Sequence, residues 1–274
     1  EHLEDVIGLA WVIIAGDKAL GIIPDLLPFR FHFARIVAFD AHGGSSLGAS
    51  RKAPQRWQRL AFVGDFVYRT ITRNTQLGQQ EQGESMDPSA ADKLAVIVQR
   101  IAKAQQRFGP PADQVTLVAV SKTFSAVEIV PFLEAGQRVF GENRVQEAKD
   151  KWPTLRQTYP DIALHLIGPL QTNKAREAVA LFDVIETLDR DRLASVLAQE
   201  MDKAGRHLPC FVQVNIGREP QKAGIAPDET VAFVARCRTE HGLNIIGLMC
   251  IPPDGMPPGP YFAQMVALGR AAEV

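Results

Sequence analysis

Between Val115 and Val274 the chain alternates, six times over, between short apolar runs and amphipathic stretches, and this pattern restricts the fold more than any other feature. The apolar runs are Val115–Val120, Arg138–Phe140, Ala163–Ile167, Val184–Leu188, Phe211–Ile216 and Ile245–Met249. Helical periodicity marks Val127–Ala135, Val145–Gln157, Lys174–Leu181, Arg192–Ala204, Glu229–Arg238 and Tyr261–Ala272. Runs this apolar separated by helices predict an α/β protein whose parallel sheet is covered on both faces. A doubly wound sheet and a (β/α)₈ barrel both satisfy the pattern. No G-x-G-x-x-G follows the first strand, so the barrel is the favoured reading.

The alternation has a front and a back boundary. Asp87 and Pro88 read as an N-cap followed by a first-turn proline. Leu94, Ile97, Val98, Ile101 and Phe108 then recur at helical spacing until Gly109-Pro110-Pro111 stops the helix. Residues 1–85 have a different character. Val6–Gly16 is apolar but too short for a bilayer, which needs about 20 residues, so it reads as a buried or interfacial segment. Stretches rich in Gly, Ser and Gln follow, with little periodicity, and read as linker. Two regions are expected: an N-terminal extension over 1–85 with no assignable function, and a barrel over 86–274. The change of character falls at Met86, and residues 1–85 read as a fused segment or as sequence upstream of the true start.

Charge and cysteine content narrow the function classes. The net charge is −1, which gives no electrostatic ground for a nucleic-acid or anionic-membrane partner. Three cysteines without a C-x-x-C pair argue against a disulfide scaffold or a cysteine-rich zinc site and point to a reducing cytoplasm. G-x-S-x-G, H-E-x-x-H and Walker-type loops are all absent.

Ligands of both architectures bind at the carboxyl ends of the strands. Ser121-Lys122-Thr123, Gly141-Glu142-Asn143-Arg144, His165 with Gly168–Lys174, Gln213 and Asn215 with Lys222, and Met249-Cys250 fall there. Lys122 follows an apolar strand directly. In an apolar mouth its ammonium form is disfavoured and the neutral amine becomes a nucleophile toward an aldehyde; alternatively its ammonium snorkels to solvent. The other residues also carry two readings. Asn143 is placed to cap the helix beginning near Val145, and Glu142 and Glu147 to favour that helix's positive end. His165 alternates with Leu164 and Leu166 and reads as a satisfied core histidine. With no second ligand at metal spacing, it is not expected to bind a metal. Met249 reads as core.

The segments Val118–Thr123, Phe140–Glu147, His165–Lys174, Gln213–Gly224 and Gly247–Pro252, in this order, resemble the recurring motifs of the pyridoxal phosphate homeostasis protein family, once labelled proline synthase co-transcribed proteins. The resemblance covers residues 86–274 and implies a barrel similar to the N-terminal barrel of alanine racemases, holding pyridoxal 5′-phosphate (PLP). It further implies that Lys122 forms a Schiff base with the cofactor aldehyde, and that Asn143, His165 and Met249 line the cofactor mouth. Members are regarded as carriers that buffer PLP and deliver it to PLP-dependent apo-enzymes, without established turnover. A PLP-dependent racemase or lyase is the alternative. Racemisation needs a base on each face of the α-carbon, and alanine racemases take the second from a further domain. A barrel binding another phosphorylated metabolite is a third reading.

In this family a serine-rich strand end and an R-[IV]-G-[TS]-A-[IL]-F-G segment follow the sixth helix and provide strands seven and eight with most of the phosphate-binding groups. The expectation is therefore a (β/α)₈ barrel truncated after about six βα units, with two open sheet edges and PLP binding that is weak or absent.

Overall fold

The computed structural model describes residues 89–108 and 115–274, together with the backbone of three earlier strands. These are β1 (Ala10–Ala15), β2 (Ala34–Asp40) and β3 (Gln58–Gly64). Then come α1 (Ala90–Phe108), β4 (Val115–Val120), α2 (Ala126–Glu134), β5 (Val139–Glu142), α3 (Val145–Thr158) and β6 (Ala163–Leu166). A short 3₁₀ turn at Thr172–Lys174 leads into α4 (Ala175–Leu181), followed by β7 (Val184–Leu188), α5 (Asp191–Ala204) and β8 (Cys210–Val214). The chain finishes with α6 (Thr230–Thr239), β9 (Ile245–Cys250) and α7 (Gly259–Ala271). Both β4 and β7 fall on the residues that the apolar runs predict, and the remaining strands shift by one or two. The proposed cap at Asp87-Pro88, the stop at Gly109–Pro111 and Met86 lie outside the described residues.

Strands β4 to β9 pair in parallel and in chain order, forming a curled half-barrel with the helices on its outside. The expected open edges are corrected by what lies beside them. Ala10–Ile14 of β1 pair antiparallel with Val115–Ala119 of β4, and Ile36–Phe39 of β2 pair antiparallel with Gly247–Cys250 of β9. Strand β3 pairs with both β1 and β2, so nine strands close one barrel. An unpaired strand edge exposes a row of backbone N–H and C=O groups, and pairing satisfies them. Part of the apolar Val6–Gly16 run is thus strand β1. Gln58–Gly64, which begins at the end of a stretch read as linker, is strand β3. Its β-forming core, Leu-Ala-Phe-Val, is only four residues long, and pairing with β1 on one side and β2 on the other makes it a strand.

Alternation along the strands separates two apolar layers. Leu164, Leu166, Ile185, Leu188, Cys210, Val212, Val214, Leu248 and Cys250 face the helices, where Leu133, Trp152, Val179, Leu197, Phe233 and Met265 meet them. Val118, Val120, Ile167, Phe211 and Met249 form a separate cluster inside the sheet. Gly141 sits on the inward register. A side chain there would press Ile167 Cδ1 at 2.7 Å and Val118 Cγ1 at 3.2 Å, so glycine leaves room for the interior cluster.

All three cysteines are free and buried, and burial pushes the Cys210 and Cys237 thiols up to about 12, which leaves them protonated at neutral pH. Among the described residues no helix is long and apolar enough to cross a membrane.

Candidate functional site

The carboxyl ends of β4 to β9 collect the residues singled out by sequence. Lys122 lies two positions beyond Val120, on the register of the inward-facing Val118 and Val120, and is half-buried. Its neighbour Thr123 has φ of 68°, in the left-handed region that a β-branched residue rarely adopts. This turn is held from outside the barrel. The Ser121 hydroxyl donates to Glu142 Oε1 at 2.6 Å, and the Thr123 N–H donates to Glu147 Oε1. The ammonium of Lys151, on α3, donates to the carbonyls of Ser121 at 2.7 Å and Phe124 at 2.9 Å. It also meets Glu142 Oε1 at 2.9 Å and Glu147 Oε1 at 3.0 Å. Trp152 completes the cluster by donating its Nε1–H to Glu142 Oε1 at 3.0 Å.

Glu142 is fully buried, and desolvation raises its carboxyl above the ordinary value, against the pull of Ser121, Lys151 and Trp152. Its side chain shares the outward face of β5 with Phe140, whose ring packs 5.0 Å from Trp152 between centroids. Glu142 and Glu147 therefore serve a buried charge cluster rather than merely the positive end of α3. The i, i+4 spacing of Glu147 and Lys151 was a readable signal for half of it.

Asn143 does not cap α3. Arg144 holds the cap position, with no side-chain hydrogen bond there. Asn143 Oδ1 is buried without a hydrogen-bond partner, while its backbone is gripped by Gly168. A Cβ on Gly168 would stand 2.3 Å from the Asn143 carbonyl oxygen and 2.6 Å from its Cα, both main-chain atoms. The Gly168 carbonyl accepts the Thr187 hydroxyl at 2.8 Å, which ties the loop after β6 to strand β7. Gly168→Ala is expected to cost about 1–3 kcal/mol, the usual penalty of forced backbone displacement, and to move the Asn143 amide resonance. Urea unfolding followed by an NMR amide spectrum checks both.

His165 is buried on the inward face of β6, and its Nδ1 meets Glu186 Oε1 of β7 at 2.6 Å. The core-histidine reading thus has its partner. Glu186 escaped the sequence reading, although a lone carboxylate inside Val-Ile-Glu-Thr-Leu was the signal. It is fully buried, and its Oε2 has no hydrogen-bond partner. No group of three or more His, Cys, Asp or Glu side chains placed to hold a metal occurs among the described residues.

Met249 is fully buried in the inner cluster beside Phe211 and Val120. Gln213 and Asn215 shape the loop after β8. Gln213 donates to the Ala223 carbonyl, and Asn215 donates to Glu219 and Lys222 carbonyls and accepts from the Glu219 N–H. Lys222 donates to the Pro252 carbonyl at 3.0 Å, joining the loops after β8 and β9.

A half-barrel of six parallel strands with its polar residues gathered at the strand ends defines a class, and the family model described as alanine racemase, N-terminal domain matches residues 93–273. Pyridoxal phosphate homeostasis protein of Vibrio cholerae serotype O1 is 38% identical over 188 residues, covering 68% of this chain and 78% of the relative. The protein of that name in Escherichia coli K12 is 38% identical over 163 residues, covering 59% and 70%. Two solved structures of PipY from Synechococcus elongatus PCC7942 are also similar. The one without PLP has a TM-score of 0.56 at 36% identity, covering 65% of this chain and 82% of that one. The one with PLP bound has a TM-score of 0.52 at 33% identity, covering 65% and 84%. The chain belongs to the pyridoxal phosphate homeostasis protein family.

Proposed function

We propose that the protein binds PLP at the carboxyl ends of β4 to β9 and acts as a carrier in PLP homeostasis rather than as a turnover enzyme. Lys122 carries the reading: an amine on the inward register at a strand end, in a turn secured by four hydrogen bonds with three side chains, Glu142, Glu147 and Lys151. The binding of PLP by the PipY relative supports the same cofactor here. When bound, PLP supplies an aldehyde able to condense with a primary amine, and a lysine in a partly apolar site is the side chain suited to it.

Other residues fit the group on their own evidence. Asn143 Oδ1 is an unsatisfied acceptor at the same end, and His165, oriented through Nδ1 by Glu186, leaves its Nε2 for a ligand. Met249 and Phe211 form an apolar floor. Lys122, Asn143, His165 and Met249 are the proposed cofactor residues.

The relatives' name, pyridoxal phosphate homeostasis protein, supports the carrier reading. Proton removal and return on opposite faces of an α-carbon need two positioned bases. Lys122 is one candidate and His165, oriented through Nδ1 by Glu186, is the other, so turnover is tested directly. PLP-dependent apo-enzymes are the proposed recipients, and three buried free thiols suit a reducing cytoplasm. Residues 1–85 are proposed to be a separate segment from the family barrel over 86–274, joined to it through β1 to β3.

Spectrophotometric titration of the full chain with PLP tests binding. Saturable uptake with an imine absorption band is expected, and a linear response without saturation contradicts the reading. Incubating the loaded protein with amino acids in heavy water tests turnover. No loss of the α-proton signal is expected, and Lys122-dependent loss would establish the racemase or lyase alternative.

A further inference from the structure

We infer that Lys151 is a positioning residue for Lys122, acting as the buried cationic hub that fixes the turn on which Lys122 is carried. The inference rests on the PLP reading above for the role of Lys122, and on geometry for the clamp itself. Lys151 has a side chain 7% exposed, yet an ammonium brought out of water needs strong acceptors to offset the loss of hydration. It has four: the carbonyls of Ser121 and Phe124 and the carboxylates of Glu142 and Glu147.

The two carbonyls bracket Lys122-Thr123. One helical side chain therefore grips the turn on both sides of the proposed cofactor lysine. The same carboxylate oxygen of Glu147 that meets Lys151 also accepts the Thr123 N–H, so the left-handed Thr123 is part of the clamp. Left-handed backbone at a β-branched residue costs energy and persists where surrounding contacts over-determine it. Phe124 N–H donating to the Ser121 carbonyl at 3.3 Å is a long bond and insufficient alone to hold that geometry. Removing Lys151 would free the turn to relax and let Lys122 sample directions away from the barrel mouth.

The packing roles in the cluster belong to Trp152 and Phe140, which contact each other without Lys151. Position and stability are therefore separable. Lys151→Met strands buried carboxylates and destabilises the fold, so the paired variant Glu142→Gln/Lys151→Met removes the buried charges together. Glu147→Gln is the mildest variant, since Glu147 is half-buried and its charge meets the Thr123 N–H and the Lys151 ammonium at a partly exposed position.

The full-length protein is read in two ways. First, without PLP, backbone chemical shifts of Thr123 report its φ, and competitive acetylation reports the reactivity of Lys122. Second, with limiting PLP and borohydride, mass spectrometry reports adduct yield at Lys122. In the folded double variant, Thr123 is expected to leave left-handed shifts and adduct yield to fall about tenfold, the equivalent of one power of ten in effective affinity. Glu147→Gln is expected to fall between it and the parent. A double variant, or Glu147→Gln if the double does not fold, that keeps parental Thr123 shifts and parental adduct yield overturns the inference. A parent protein with no adduct at Lys122 overturns the PLP reading instead, while the Thr123 shifts still decide whether Lys151 holds the turn.

Discussion

Lys122→Ala is expected to abolish the imine band and to weaken retention of PLP by at least about 100-fold, or roughly 2.7 kcal/mol, in equilibrium dialysis. The magnitude follows from the loss of a covalent bond that no neighbouring group replaces. Lys151 is committed to four acceptors at the turn, and Lys222 to Pro252 and Glu219. Lys122→Arg separates charge from chemistry. A guanidinium stays protonated and forms no imine, so it retains the positive charge while losing the band. If Lys122→Arg binds PLP as the parent does, the lysine is a plain charge and the third reading, a phosphorylated-metabolite site, gains ground.

Trp152→Ala is the largest stability effect expected in the described part of the chain. Trp152 is fully buried, packs on Phe140 and donates to Glu142. Truncating such a side chain costs about 3–5 kcal/mol through lost transfer and cavity energy. The total is a large fraction of the about 5–15 kcal/mol typical of a folded domain. The lost donor adds to it, since Glu142 already has one unpartnered oxygen. Trp152→Phe restores ring packing but not the Nε1–H, and is expected to lose about 1–3 kcal/mol. Urea midpoints for the two variants measure the packing and hydrogen-bond parts separately. Equal losses in both would place the whole effect on the hydrogen bond.

Much of the barrel was legible because its signals are local. Apolar strands and amphipathic helices each fit within one window of sequence, so β4 and β7 coincide with their apolar runs and α3 begins at Val145 as expected. What was not legible depends on pairing across distance. The edge strands that β1 and β2 cover, β4 and β9, lie more than a hundred residues away, so nothing near Ala10–Ala15 or Ala34–Asp40 announced that the edges would be covered. The same holds for the site. Lys122 and His165 stood out as polar residues against apolar strands. Lys151 looked like any helical lysine until α3 brought it against the Ser121–Phe124 turn. Asn143 looked like a cap because a strand ended and a helix began around it. The backbone hands that position to Arg144, and Gly168 grips Asn143 instead.

Cofactor binding therefore turns on one side chain, Lys122, at the end of one strand. Its most direct test is to incubate the full chain with PLP, reduce with borohydride, digest, and map the modified lysines by mass spectrometry. A single dominant pyridoxyl adduct on Lys122 is the predicted result. An unmodified Lys122, with no adduct or with labels scattered over surface lysines, would contradict it.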